Sequence, residues 1–313
     1  MLLKIYNNIF IWIFIILLFF TDVIKKSMND NQTPNVKQKF FWSGKGGDVW
    51  VQRQYELDIT LAPLGEAALS KIDLTSCKHV LDVGCGTGRT TLDIATQLPV
   101  NSRVTGMDIS VPMLEQAKSL ATDEKVANID FTMQDVQLEP LATNKYDAAF
   151  SRFGVMFFDD PKKAFLNIFN SLQKEADLAF VCWQSPANNP WYGASANVLK
   201  KYLDLPVPIK RAPSPFAFQE PEYIEEILTI AGFQNIKVEP LIMPILWFAN
   251  QNLDEAISNS MSLNPIIAEI IMSVKQDVRD NITKSLAEAF SPYMTEEGLL
   301  FDSATWIVSA KKD

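Results

Sequence analysis

The chain has 313 residues, 48% of them hydrophobic and 21% charged, and its 37 acidic and 28 basic residues leave a formal net charge of −9. This is the composition of a globular protein with a sizeable core, and its acidity argues against a general nucleic-acid binder, which needs a basic surface to meet phosphates. Cys77, Cys85 and Cys182 show no close pairing and build neither a disulfide framework nor a zinc motif, while a single histidine, His79, excludes mechanisms that need a histidine dyad or triad.

In chain order, the first feature is "IFIWIFIILLFF" (Ile9–Phe20), twelve apolar residues without a break. That is short for a membrane span, and no small-x-small cleavage site follows it. Lys25, Lys26, Lys37 and Lys39 follow the run against Lys4 before it, which favours a cytoplasmic side for the rest of the chain. Residues 1–27 are read as a hydrophobic leader, either an anchor or an extension ahead of the polar stretch that Met28 opens. The expected localisation is cytoplasmic, with membrane contact confined to residues 1–27.

Residues 28–75 are expected to form an N-terminal helical cap, because Trp50, Leu57, Leu61 and Leu64 recur at roughly helical spacing. "SGKGG" (Ser43–Gly47) follows no strand and ends in no Lys-Ser/Thr pair, so it reads as a turn and not as a phosphate loop. From residue 76 to 240, strands and helices alternate. The strands are read at 79–84, 102–110, 128–135, 146–153 and 177–184, with helices at 89–98, 112–121 and 161–173. A further helix ends at Gly232, and "FQNIKVEP" is a strand. Residues 241–302 read as an insertion or cap whose Trp247, Phe248, Met261 and Met272 look like core, and residues 303–313 as the last core strand. The fold class is α/β, a Rossmann-like, doubly wound, seven-stranded sheet with a helical N-terminal cap and an insertion before the last strand.

Three of the 12 glycines fall within five positions of "VLDVGCGTG" (Val80–Gly88). Gly84, Gly86 and Gly88 sit on the first strand–helix turn, where such sheets bind ligands and where backbone N–H groups favour an anion. The spacing is G-x-G-x-G, not the G-x-G-x-x-G of dinucleotide binders. Asp108 ends the second strand and is placed to accept from ribose hydroxyls. Asp135 ends the third and is placed to accept from an exocyclic amine such as that of adenine. Met113 is placed to lie against a purine face.

"VLDVGCGTG", "GMDIS" with Met113, "QDV" and "YDAAFSRFGVMFF" resemble motifs I to IV of the class I S-adenosylmethionine-dependent methyltransferases. Over roughly Trp50–Asp313 the chain is most similar to their small-molecule branch, that of the ubiquinone and menaquinone biosynthesis enzymes and of methyltransferase type 11/25. The resemblance implies S-adenosylmethionine as cofactor and a small-molecule methyl acceptor as partner. It would put Gly84, Gly86 and Gly88 around the methionine part, Asp108 at the ribose, and Asp135 with the Val136 N–H at the adenine. Asp82, Cys85, Ile109, Met113, Gln134 and Ser151 complete the expected cofactor contacts. Two departures stand out. "QKEAD" (Gln173–Asp177) replaces the usual Pro-Gly-Gly turn before the fifth strand. "SRFG" replaces the Asn/Asp-Pro-Pro-Tyr/Phe of enzymes that methylate exocyclic base amines.

Trp50, Phe153 and Trp183 are the expected walls of an acceptor pocket for an apolar or aromatic molecule. Arg152 and Tyr55 are the catalytic candidates, Arg152 as the one charge able to orient an oxyanion or the cofactor carboxylate. Asp159 and Asp160, ahead of Pro161, read as a helix cap. No metal is expected. The function read from the sequence is methyl transfer to a small molecule. The alternatives are a catalytically silent S-adenosylmethionine-binding scaffold and a nicotinamide-dependent reductase, the latter disfavoured by the glycine spacing.

Overall fold

The structure, a computed structural model, describes residues 35–313 apart from Pro206. Its first helices are α1 (Val36–Trp42), α2 (Lys45–Gln52) and α3 (Gln54–Leu69). Next come the parallel strands β1 (His79–Val83), β2 (Arg103–Asp108), β3 (Ile129–Met133), β4 (Tyr146–Arg152) and β5 (Leu172–Trp183). They are separated by α4 (Arg89–Gln97), α5 (Val111–Asp123) and α6 (Pro161–Ser171). After α7 (Pro190–Tyr202) and α8 (Pro221–Ala231), strand β6 (Gln234–Trp247) pairs antiparallel with β8 (Gly298–Lys311), which also pairs antiparallel with β5. The sheet order is β3-β2-β1-β4-β5-β8-β6, and the two-residue β7 (Met294–Thr295) pairs with β8. The α/β, Rossmann-like class read from the sequence is the class observed.

Residues 37–313 form one compact unit around this sheet. Its inner strands are buried because helices cover both faces, so they read as near-continuous apolar runs. Val80, Leu81, Ala148, Ala149, Phe180 and Val181 are all fully or almost fully sealed from solvent. Local signals start the helices where they should. The Ser110 hydroxyl accepts from the Met113 N–H at the start of α5, and the Asp160 carboxylate from the Lys163 N–H at the start of α6. The cap expected of the Asp159–Asp160 pair is therefore supplied by Asp160.

Four expectations change. "SGKGG" is only half a turn, since Lys45 already opens α2. The Gln173–Asp177 turn is absorbed into β5: α6 ends at Ser171, Leu172 pairs with Tyr146, and Glu175 takes a left-handed φ of 64° while its N–H donates to Lys312 O at 2.6 Å. The inserted segment is 248–297 and not 241–302, because β6 runs on to Trp247 and β8 starts at Gly298, not at 303. β6 carries Pro240 and Pro244, which its place at the edge of the sheet tolerates. The insertion holds α9 (Leu253–Ser262), α10 (Pro265–Ser273) and α11 (Gln276–Phe290). Finally, a cytoplasmic chain anchored through residues 1–27 is not sustained. Among the described residues no helix is long and apolar enough to cross a membrane, and the leader itself lies outside the described residues.

Candidate active site

The glycine-rich turn begins where β1 ends. Gly84 N and Cys85 N both donate to Met107 O, at 2.8 and 3.1 Å, which ties the turn to the end of β2. Gly84, Gly86 and Gly88 have φ of 67°, 55° and 89°, the left-handed region that glycine enters without strain. Two of them differ in what surrounds them. A Cβ on Gly88 would lie 2.7 Å from that of Ala117, so this glycine lets the start of α4 pack on α5. A Cβ on Gly86 would meet nothing nearer than 3.8 Å, with Met113 Sδ on one side and Trp50 Nε1 on the other. A Cβ at Gly86 would therefore sit without a clash, in ordinary contact with a thioether and an indole.

Two carboxylates frame this turn. Asp108 Oδ2 accepts from Gly86 N at 2.9 Å and Oδ1 from Ser110 N at 2.8 Å, leaving lone pairs on both oxygens. Burial pushes its carboxyl above the usual range, against the pull of those backbone donors. Asp82, fully buried in β1, accepts from the hydroxyls of Thr90 and Thr91 on Oδ2, both at 2.7 Å. Its Oδ1 has no hydrogen-bond partner. Burial pushes the Asp82 carboxyl up to about 6, and the two threonine hydroxyls oppose the shift.

The N-terminal helices press onto this end of the sheet. Ser43 Oγ donates to Ile109 O at 3.1 Å, and Ser110 Oγ to Trp42 O at 2.6 Å. Gly47 makes that approach possible, because a Cβ there would lie 2.9 Å from Ser110 Oγ and nearer still to Trp42 O. "SGKGG" is thus a close-packing device for α2. Trp42 stands edge-on to both Trp50 (6.0 Å) and Phe157 (4.9 Å), and Lys45 pairs with Glu269 of α10.

Beyond β4 the residues divide. Ser151 Oγ donates to Val83 O at 2.7 Å and accepts from Gly154 N at 3.3 Å, joining the ends of β1 and β4. Gly154 in turn lies against Gly84, where a Cβ would come within 2.9 Å of its Cα. Phe153 has a left-handed φ of 60° and stacks on Trp183 at 4.5 Å and 19°. Arg152 is not a lone cation: its Nη2 pairs with Asp58 of α3 at 2.7 Å, and both side chains are largely buried. Burial raises the Asp58 carboxyl, with Arg152 opposing the shift. The pair lines a cavity of about 890 Å³ between α3 and α4, on whose rim Tyr55 is 73% exposed. Tyr55 is therefore not brought to the Phe153–Trp183 wall.

Of the remaining expected cofactor residues, Cys85 and Met113 are buried at the turn, and burial keeps the Cys85 thiol protonated. Asp135 Oδ1 accepts from Gln137 N and Leu138 N at 3.0 and 3.2 Å, building the turn after β3 that carries Val136. Gln134 donates to Pro140 O and lines a separate groove of about 1000 Å³ along β3. His79 starts β1, at the end of the strand away from the glycine-rich turn, and its Nε2 donates to or accepts from Thr105 Oγ1.

A methyltransferase domain family matches residues 80–175. A demethylmenaquinone methyltransferase of Lactiplantibacillus plantarum is 29% identical over 182 residues, covering 54% of this chain and 75% of that protein. A second, from Porphyromonas gingivalis, is 28% identical over 40% of this chain and 52% of that protein. The matched domain and these relatives support a class I S-adenosylmethionine-dependent methyltransferase. Phosphoethanolamine N-methyltransferase 2 of Haemonchus contortus, solved with S-adenosylmethionine, shares the fold, with a TM-score of 0.54 at 16% identity over 88% of this chain and 60% of that one. The chain spans three quarters of the first relative and about half of the second.

The cofactor of this methyltransferase is S-adenosylmethionine, and its own residues fit that molecule. Gly86 has a left-handed φ and lies between Met113 Sδ and Trp50 Nε1, Asp108 has spare acceptor capacity beside it, and Asp82 Oδ1 is a buried acceptor without a hydrogen-bond partner. Sequence reasoning missed Asp58, the partner of Arg152, and Gly47. A carboxylate one turn along a helix carries no motif, and a glycine inside a short helix shows its purpose only once its neighbour is known.

Proposed function

We propose that this methyltransferase carries a methyl group from S-adenosylmethionine to a small, apolar or aromatic acceptor held against Phe153 and Trp183. The observation that carries this reading is the join between Gly84 and Gly154. It supports the reading because Phe153, stacked on Trp183, immediately precedes the Gly154 that lies against Gly84 of the glycine-rich turn. In this reading Asp82, Gly84, Cys85, Gly86, Gly88, Asp108, Ile109 and Met113 hold the cofactor, with Asp135, Val136, Gln134 and Ser151 shaping its adenine and turn surroundings. Trp50 closes over Gly86 from the lid side.

When bound, the cofactor supplies an electrophilic methyl on a sulfonium. The chain's task is then alignment and dryness. Holding two reactants in line is worth about 7–11 kcal/mol in well-oriented intramolecular reactions. Phe153 and Trp183, each 5% exposed, keep water from the acceptor face. No histidine takes part, since His79 stands at the far end of β1. The Arg152–Asp58 pair is internally neutralised, so its role is to hold α3 against β4 while lining the adjoining cavity.

The test is release of S-adenosylhomocysteine by the full chain with phenols, fused-ring aromatics and aliphatic amines as acceptors. Turnover is expected with ring compounds. Turnover with aliphatic amines alone would sink the acceptor class. S-adenosylmethionine binding without turnover on any acceptor or cell extract would instead favour the silent scaffold.

A further inference from the structure

The turn after β3 satisfies its own backbone N–H groups with one exception. Gln134 N donates to Asp108 O at 3.1 Å, and Asp135 N to Glu139 Oε1 at 3.3 Å. Gln137 N and Leu138 N donate to Asp135 Oδ1, while Leu138 N and Glu139 N also donate to Asp135 O, at 3.1 and 2.8 Å. The Val136 N–H alone in this turn has no hydrogen-bond partner among the described residues, although Val136 is only 5% exposed. Buried backbone N–H groups are nearly always paired, so one left over beside paired neighbours marks a place for a ligand's acceptor.

The carbonyl side of the same turn is held from α6. Asn167 Nδ2 donates to Val136 O at 2.9 Å and to Gln137 O at 3.2 Å. About two helical turns earlier, at the cap of α6, the Asp160 N–H donates to Gln137 Oε1 at 2.9 Å. Gln137 is fully buried and its Nε2 has no partner, so that side chain is fixed by its oxygen alone. Peptide units are planar, and both planes that meet at Val136 are pinned. The first carries the Val136 N–H and is held through Asp135 O. The second is held at its N–H by Asp135 Oδ1 and at its carbonyl by Asn167.

We propose that Asn167 is a positioning residue for the adenine of the cofactor: from α6 it fixes the direction in which the Val136 N–H is presented to a ring nitrogen of the base. The inference rests on the reading that Asp135 and Val136 meet the adenine. Asn167 acts through the turn and touches no reacting atom. Its side chain is only half-buried, so an apolar residue of the same size can replace its packing but not its donors. Adenine offers a ring-nitrogen acceptor beside an exocyclic amine, and hypoxanthine reverses both into an N–H and a carbonyl oxygen. A fixed N–H beside a fixed carboxylate accepts the first base and rejects the second, whereas a loose turn swings aside and tolerates either.

The experiment measures, by calorimetry on the full chain, the affinities for S-adenosylhomocysteine and S-inosylhomocysteine. The wild type is expected to prefer the adenine compound by at least about thirtyfold, and Asn167→Leu by less than about fivefold. A role in stability alone would weaken both compounds by the same factor. An unchanged ratio in the variant therefore overturns the proposal and leaves the adenine reading standing. Should Asn167→Leu not fold, Asn167→Asp gives the same readout, since its ionised side chain has the same shape and no donors. A wild type that binds the two compounds alike, or binds neither, overturns the adenine reading and the proposal with it.

Discussion

The two ends of the sheet's carboxyl edge are built by different means. At β1 and β2, the site is backbone: three left-handed glycines, N–H groups, and two carboxylates that organise them. At β4, β5 and β6, it is side chains: a row of rings contributed by four separate segments of the chain. The first end fits one ligand of fixed shape and needs its residues consecutive, because a turn can be made only by neighbours in sequence. In the proposed reading the second end meets the acceptor, and rings from remote segments can be exchanged without disturbing the turn.

This contrast breaks most readily at Gly88. Gly88→Val puts a β-branched residue at φ 89° and drives its Cβ into Ala117, which should cost about 3 kcal/mol or more in denaturant unfolding. Stability within about 0.5 kcal/mol of the wild type would mean that the turn is not the rigid element described here.

Asp82 gives an effect of similar size that depends on pH. Its carboxyl titrates near 3.8 unfolded and about 6 folded, so between these values the folded state holds the extra proton. Folding stability should therefore fall as pH rises through that window, by up to about 3 kcal/mol at 1.36 kcal/mol per unit, and Asp82→Asn should remove the slope. S-adenosylmethionine, which carries positive charge, should conversely bind more weakly below about pH 6 in the wild type and show no such loss in the variant. A flat profile in both proteins would remove Asp82 from the site.

Asp108→Ala takes away the acceptor that holds Gly86 N and Ser110 N. Calorimetry should show S-adenosylmethionine affinity weakened by about 1.5–3 kcal/mol. A smaller loss separates the ends more finely. Trp50→Ala should weaken the cofactor roughly tenfold, about 1.4 kcal/mol, because its indole stands 3.8 Å from the Gly86 Cβ position. Phe153→Ala should leave cofactor affinity within about threefold and reduce only turnover. If the two variants behaved alike, the division between cofactor end and acceptor end would be wrong. The smallest effect is expected of Tyr55→Phe, which removes a hydroxyl from a side chain 73% exposed and should change stability by less than about 0.5 kcal/mol. A tenfold loss of turnover there would restore Tyr55 as a catalytic candidate.

Legibility in the sequence followed the same division. Strands of buried apolar residues, Asp160 as a helix cap and the glycine turn were readable because each is set by neighbours within a few positions. The edge strand β6 runs on past the end expected at Pro240, and its Pro240 and Pro244 are tolerated because one side of the strand is free. Arg152 read as a free charge, and its partner, Asp58, lies 94 positions away in the chain.

The sequence by itself determined the sheet's class, the glycine turn and the acidic residues at the strand ends, because periodicity and backbone freedom are local properties. The tertiary structure alone decided that Gly47 lets α2 settle on Ser110, that Asp58 neutralises Arg152, and that Trp247 meets Trp191 with its N–H unpaired. Each of these depends on what the sheet order brings together, and no short-range pattern encodes a contact between segments that meet only after folding.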